Sequence, residues 1–157
     1  MMSIEKVREY LKQYDREGDI LEFPVSSATV DLAALAVGVE PARIAKTLSF
    51  YDKEKEHAFL VVTAGDRKID NKKFRHTFGL KAKMLSVEDT ERMTGHMIGG
   101  VCPFANPEHV TTYLDISLQR FETVYPAAGS SNSAIRLTCE ELEKFSNAKE
   151  WVDVCKI

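Results

Sequence analysis

The sequence lacks the features of membrane and secreted proteins. No apolar run approaches the ~18 residues that a membrane-spanning helix requires. The first residues, MMSIEKVREYLKQYDREGD, have a polar, helical pattern that is unlike a signal peptide. Cysteine is scarce, because Cys102, Cys139 and Cys155 are an odd number and too few for a disulfide framework. We therefore expect a cytoplasmic protein with no membrane partner.

The common catalytic and metal-binding patterns are also missing. The chain has no G-x-G-x-x-G after a strand, no phosphate-binding G-x-x-x-x-G-K-[ST], no G-x-S-x-G, no C-x-x-C and no H-E-x-x-H. Its four histidines are scattered singly along the chain. Cys102 and His109 could share a metal ion, but two ligands are too few for a typical site. We expect neither a metal nor an organic cofactor.

The charge is unevenly distributed along a chain of single-domain length. With 157 residues we expect one domain, residues 1–157, and the net charge of −3 argues against a general nucleic-acid binder. Between Arg67 and Lys83, however, seven cations accompany a single acid, Asp70, and the tail after Thr138 is acidic. Such asymmetry fits either a face that meets a polyanion or an ordinary solvated basic helix.

Helix and strand patterns alternate irregularly. Capping signals mark helices at Thr29 with Gly38, at Asp70 with Gly79, at Ser86 and at Thr138 with Glu141. The predicted strands are DILEFP, KTLSFY, HAFLVVTA, KAKML, HVTTYLD, ETVYPA, SAIRLT and EWVDVCK, of which the second and third form a hairpin. About five helical segments and seven or eight strands in this order predict an α+β fold. Its sheet should be mixed and largely antiparallel, or an open barrel, with helices packed around it.

Two places in this pattern are unusual. Lys46 stands at the head of an apolar strand, where it is either partly shielded or a lysine whose ammonium reaches water. Gly99 and Gly100 in MIGGVCPFA permit a close backbone approach to a ligand, while Pro103 stiffens the far side of the loop. The loop is either a plain turn or a set of N–H groups aimed at an oxyanion. A third possibility is that Cys102 is a nucleophile, which needs a base such as His96 or His109.

Three segments together resemble a known family. RIAKTLSFYDKEKEHAFLVVTAGDRKID, GGVCPFA and VYPAAGSSNSAIRLTCEEL are similar to the YbaK/EbsC family, free-standing relatives of the editing domain inserted in bacterial prolyl-tRNA synthetases. The resemblance runs from about Ser27 to Phe145. It implies a sheet curled into a partial barrel and a deacylase that hydrolyses mischarged tRNA, above all tRNA(Pro) carrying Cys or Ala. Ala134 stands where the best-known Cys-tRNA(Pro) members carry an acidic residue, so cysteine specificity does not transfer directly.

The resemblance also implies the site. Lys46, Gly99 and Gly100 are its expected catalytic residues, and Arg67, Lys68, Lys72 and Lys73 are expected to bind tRNA. The expected substrate-binding residues are Thr47, Val101, Cys102, Pro103, Phe104, Gly129 and Ser130. The expected partners are the acceptor end of aminoacyl-tRNA and prolyl-tRNA synthetase, and the chain is expected to be a monomer or weak homodimer. The alternative is a domain of the same fold that binds tRNA or a nucleotide with little turnover.

Overall fold

A computed structural model describes residues 3–157 as an α+β fold with five α-helices and ten short strands. The helices are α1 (Ser3–Leu11), α2 (Val30–Val37), α3 (Asn71–Phe78), α4 (Val87–Thr94) and α5 (Cys139–Phe145). The strands are β1 (Leu21–Glu22), β2 (Ile44–Tyr51), β3 (Ala58–Ala64), β4 (Lys68–Ile69), β5 (Thr111–Asp115), β6 (Thr123–Pro126), β7 (Ser133–Ala134), β8 (Leu137–Thr138), β9 (Glu150–Val152) and β10 (Cys155–Lys156).

Six of the strands form the central sheet, in the order β8-β6-β2-β3-β5-β9. The hairpin β2–β3 at its centre is antiparallel and pairs Ala45 through Tyr51 with Ala64 through Ala58. The pairings β6–β8, β1–β7 and β4–β10 are antiparallel as well, whereas β2–β6, β3–β5 and β5–β9 are parallel. The sheet curls into a half-barrel with helices around it, which confirms the predicted fold class.

The helix boundaries follow the predicted caps. Thr29, Asp70 and Ser86 each accept a hydrogen bond from the amide three residues on, and the helices that they begin end at Gly38, Gly79 and Gly95 with positive φ. Thr138 and Glu141 form the full capping box of α5. These local bonds satisfy main-chain groups that a helix end otherwise leaves unpaired.

Three predicted strands were wrong in their extent. KAKML makes only an isolated bridge, between Met84 and Phe50. SAIRLT is divided, because β7 pairs with β1 while β8 pairs with β6. EWVDVCK is divided in the same way, because β9 pairs with β5 and β10 with β4. At this second break the amide of Val154 donates to Asp115 and its carbonyl accepts from Asp70, so the chain leaves one sheet for another.

The core packs on both faces of β2 and β3. On one face, α1, α5 and the segment 102–104 enclose apolar residues that include Val7, Leu11 and Phe104. On the other, α3 covers β2 and β3 with an aromatic cluster in which Phe50 and Phe74 have ring centroids 4.8 Å apart. The rigid hairpin is thereby held from both sides. Within residues 3–157, no helix combines the length and apolar character needed to cross a membrane.

Candidate functional site

A cleft of about 290 Å³ opens along one edge of β2. The strand pairs with β3 along seven residues. Its other edge pairs with β6 at Ile44 and Ala45, and with residues 83–85, called the Met84 segment below, at 49–51. The cleft occupies the gap between these two contacts. Its lining residues are Ser27, Ala28, Thr29, Val30, Ala33, Ile44, Ala45, Lys46, Thr47, Leu48, Ser49, Met84, Leu85, Thr90, Ile98, Gly99, Val101, Tyr125, Ala127, Ser133 and Ala134.

Thr47 lies in the middle of this open edge. The amide of Tyr51 donates to Lys83, and the carbonyl of Ser49 accepts from Leu85, so odd-numbered residues of β2 direct their main-chain groups away from β3. By the alternation of an antiparallel ladder, the N–H and C=O of Thr47 also point to the open edge. Its hydroxyl oxygen is buried and has no hydrogen-bond partner among residues 3–157. The middle of the strand therefore offers unpaired polar groups beside the cleft.

Lys46 borders the same cleft and is partly buried. Its Nζ donates to the main-chain carbonyl of Arg67 at 2.5 Å, so the ammonium is held by the protein instead of extending into water. Burial lowers the pKa of Lys46, an effect that nearby Cys155 and Asp66 oppose. An ammonium has three donors, and two of them remain for a ligand oxygen after the bond to Arg67.

The turn that holds Lys46 is tightly fixed. A Cβ on Gly65 would lie 2.2 Å from the carbonyl oxygen of Pro41, so only glycine lets the turn approach so closely. The next residue, Asp66, makes two hydrogen bonds to the guanidinium of Arg120, at 2.6 and 3.1 Å. These bonds to Arg120 are the largest cause of a lowered pKa at Asp66. The acceptor for Lys46 is thus a carbonyl on a rigid turn.

The glycine loop forms another wall of the cleft. It begins after α4, and the amide of Gly100 donates to Met97 at 2.9 Å to close a turn. Gly99 has φ +88, which disfavours other residues, and a Cβ on Gly100 would lie 3.1 Å from the Cα of Ser130. The hydroxyl of Ser130 in turn donates to Ser133 at 2.7 Å. Gly100 is therefore a packing contact behind the cleft, while Gly99 and Val101 line it.

His96 holds the glycine loop in place. The sequence analysis considered it only as a base for Cys102 and did not predict this structural role. It is fully buried, its Nδ1 bonds to the hydroxyl of Ser3 in α1, and its Nε2 donates to the carbonyl of Phe104 at 2.8 Å. Since a carbonyl can only accept, Nε2 carries a hydrogen, and in the neutral ring Nδ1 accepts from the Ser3 hydroxyl. Burial is the main cause that lowers the pKa of His96. The ring therefore connects His96 and Phe104, at the two ends of the glycine loop, to α1. No local sequence pattern predicts such a role.

Five residues predicted to bind substrate do not line the cleft: Cys102, Pro103, Phe104, Gly129 and Ser130. Cys102, Pro103 and Phe104 are buried in the core, and burial raises the pKa of the Cys102 thiol to about 12. A Cβ on Gly129 would lie 2.8 Å from the Val7 side chain, so this glycine permits close packing of α1. The Cys102 sulfur lies 3.6 Å from Nε2 of His96, but that nitrogen donates to Phe104. The arrangement does not support Cys102 as a nucleophile.

The four cations predicted to bind tRNA differ in their surroundings. Lys73 pairs with Asp153 at 3.0 Å and also donates to the carbonyl of Cys155. Arg67 lies 3.6 Å from the carboxylate of Asp66. Lys68 and Lys72 are exposed. Only part of the basic segment is therefore available to an external anion.

The match to known proteins identifies the family. The family model described as the aminoacyl-tRNA editing domain matches residues 25–145. The chain belongs to this editing-domain family. The resemblance to YbaK/EbsC proteins is thereby confirmed. Within residues 3–157 of this editing domain, no three His, Cys, Asp or Glu side chains come together in a way that could hold a metal ion.

Relatives of this editing domain match from about three quarters to nearly all of its length. YwhH of Bacillus subtilis, whose function is uncharacterised, is 56% identical over 155 residues, which are 99% of this chain and 98% of that protein. EbsC of Enterococcus faecalis, a candidate Cys-tRNA(Pro)/Cys-tRNA(Cys) deacylase, is 29% identical over 122 residues, 77% of this chain and 74% of that protein. The crystal structure of a candidate trans-editing enzyme for prolyl-tRNA synthetase superposes with a TM-score of 0.87 at 28% identity, covering 99% of this chain and 98% of the other.

Proposed function

We propose that this editing domain is a free-standing deacylase that hydrolyses the ester of mischarged aminoacyl-tRNA. The observation that supports the proposal is that Lys46 and the loop residues Gly99 and Val101 line one cleft of about 290 Å³. The named activities of EbsC and of the trans-editing relative support it. In this proposal residues 1–157 form a single cytoplasmic domain, a monomer or weak homodimer, and prolyl-tRNA synthetase is a partner.

Hydrolysis of an aminoacyl ester requires few catalytic side chains. An aminoacyl-tRNA ester is activated by its ribose leaving group and by the neighbouring hydroxyl, so positioning and stabilisation of the oxyanion supply most of the catalysis. Water attacks the carbonyl carbon, the C–O bond to the ribose breaks, and the ribose oxygen takes up a proton. The free donors of Lys46 would bind the terminal phosphate or the developing oxyanion.

The loop would supply main-chain donors to the oxyanion. The amide of Gly100 is already bonded to Met97, whereas the amides of Gly99 and Val101 make no hydrogen bond in the described part of the chain. Because Gly99 and Val101 also line the cleft, we assign the oxyanion contact to these two amides and give Gly100 the role of fixing them. The Thr47 hydroxyl would contact the aminoacyl group.

We propose that the amino acid removed is small, Cys or Ala, and that it is carried on tRNA(Pro); the modest size of the cleft supports the small amino acid. Ala127 and Ala134 present methyl groups to the cleft. The resemblance implies an acidic side chain at the position of Ala134 in the best-known Cys-tRNA(Pro) members, and because this chain lacks it we propose Ala before Cys. The test is a deacylation assay with Ala-, Cys- and Ser-tRNA(Pro) and with matched cognate Pro-tRNA(Pro).

Lys46→Ala is the variant that tests the mechanism. We expect it to fold and to lose about 10²-fold or more in hydrolysis, the usual effect of removing one preorganised electrostatic contact. Lys46→Met, which retains the apolar stem, is the matched variant and should lose as much activity with a smaller change in thermal stability. A folded Lys46→Ala protein with near wild-type turnover would refute the mechanism.

A binding domain with little turnover is the alternative. One observation favours it: among the residues that line the cleft, Lys46 and Tyr125 are the titratable ones, and the lining includes neither a carboxylate nor a histidine. Such a domain would bind aminoacyl-tRNA or a nucleotide and release it unchanged. Single-turnover deacylation with enzyme in excess separates the two functions, because a binding domain would protect the ester while a deacylase would cleave it.

A further inference from the structure

A second concave surface lies beside α3 and is strongly basic. This cavity of about 400 Å³, called the cation cavity below, is lined by Asn71, Lys72, Arg75, Lys81 and Ala82. Three of the five lining residues are cations and none is acidic. Like charges that share a concave surface repel one another and concentrate a positive potential there, which an anion relieves.

The charges of the cation cavity are available to an external ligand. Lys72, Arg75 and Lys81 are exposed, and none of them forms an ion pair within residues 3–157. Their neighbour Lys73 behaves differently, because its ammonium is bonded to Asp153 and to a main-chain carbonyl. The fold therefore neutralises one lysine of α3 and leaves the cations around the cavity without a partner.

One wall of the cation cavity continues along the chain to the candidate site. Lys81 is four residues from Leu85, which lines the cleft, and four residues span at most ~14 Å of extended chain. This segment is fixed to β2, since the carbonyl of Lys83 accepts from Tyr51 at 3.0 Å. Exposed Lys81 and Lys83 on this segment therefore form a basic track along the chain from the cavity to the cleft.

We propose that the cation cavity binds backbone phosphates of the RNA strand whose 3′ end enters the cleft. Separate cations on a track of this kind suit a chain of phosphates, since each cation can contact a different phosphate while the terminal nucleotide lies in the cleft. Lys72, Arg75 and Lys81 are the contacts, and Lys73 is not. The inference rests on the proposed function for the direction of the strand, but the binding itself requires no turnover.

The test compares two triple variants of equal charge change. Lys72→Gln with Arg75→Gln and Lys81→Gln removes the cations of the cavity. The control, Lys53→Gln with Lys55→Gln and Lys149→Gln, removes three exposed lysines elsewhere. The probe is an RNA hairpin that carries no amino acid and has the acceptor stem of tRNA(Pro) and a 3′ CCA end. Its Kd is measured by fluorescence anisotropy between 50 and 200 mM salt.

We expect the cavity variant to bind the hairpin at least tenfold more weakly and the control to stay within twofold of wild type. The slope of log K against log salt should become shallower by about 0.7 to 0.9 for each lost phosphate contact. Lys81→Gln alone lies outside α3 and should show about one third of the change in slope, which keeps the test valid if the triple variant unfolds.

The outcomes separate this inference from the proposed function. Equal affinity of the two triple variants overturns the inference, even if wild type hydrolyses aminoacyl-tRNA. The inference is also overturned if the wild-type protein does not bind the hairpin. Binding of an acidic peptide in its place would not rescue it. Loss of hairpin binding in the cavity variant supports the inference, even if no mischarged tRNA is hydrolysed and the proposed deacylase activity is rejected.

Discussion

Gly100→Ala is the sharpest test of how the loop shapes the cleft. The added Cβ would lie 3.1 Å from the Cα of Ser130 and 3.2 Å from its main-chain N and C. These are main-chain atoms that cannot rotate away, so either the glycine loop or the main chain at Ser130 must shift by a few tenths of an ångström. Overpacking of this kind costs about 1–3 kcal/mol. At about 2–4 °C per kcal/mol for a chain of this length, the melting temperature should fall by about 2–12 °C.

The same shift should also lower the deacylation rate, because Gly99 and Val101 on either side of Gly100 line the cleft. A misplacement of about 1 Å in a catalytic arrangement costs about 10²-fold, so we expect roughly a tenfold loss of kcat/KM. Gly18→Ala is the control, since a Cβ at Gly18 meets no atom within 4 Å. Thermal unfolding and deacylation are measured on both. A Gly100→Ala protein as stable and active as Gly18→Ala would refute the reasoning.

The remaining predictions concern three residues behind the cleft. Cys102→Ala should retain activity within about tenfold, or about 1.4 kcal/mol of barrier, and a covalent mechanism would instead abolish hydrolysis. With its pKa near 12, the Cys102 thiol of the folded protein should also resist alkylation at pH 8. Gly129→Ala should lower the melting temperature through its contact with α1, with kcat falling less than in Gly100→Ala. The lowered pKa of His96 means that the unfolded chain takes up a proton first as pH falls, so stability should decrease below about pH 6.5. Melting temperatures at pH 7.5 and 5.5 check this, and His96→Gln should flatten the difference.

Local signals explain why much of the fold could be predicted. Thr29 and Gly38, or Thr138 and Glu141, act within one turn of chain, and the hairpin β2–β3 is closed by a short charged turn. The divided strands depended instead on distant partners. Nothing within SAIRLT indicates that its first residues pair with β1 and its last with β6, because both partners are more than ten residues away in sequence.

The site shows the same limit. Lys46 and the paired glycines could be singled out because a lysine in an apolar strand and adjacent glycines are locally unusual. The orientation of Cys102 could not be predicted. Its thiol faces the core because His96 bonds the loop to α1, and these contacts are distant in sequence. Likewise the partner of Lys46 is a carbonyl twenty-one residues away, on a turn set by Gly65 and Asp66. Sequence identified the unusual residues, and tertiary packing decided which way each one points.

The open edge of β2 connects these observations. A buried hydroxyl without a partner costs about 1–3 kcal/mol, and Thr47 carries such a hydroxyl beside main-chain groups that no neighbouring strand pairs. The fold could close this edge only by extending β6 or the Met84 segment, and either extension would fill the cleft. A ligand with polar groups at this position restores the missing hydrogen bonds, whereas an apolar one leaves them unmade. The gap that leaves these groups unpaired therefore favours a polar ligand over a purely apolar one, and the titratable residues of β2 are Lys46 and Tyr51.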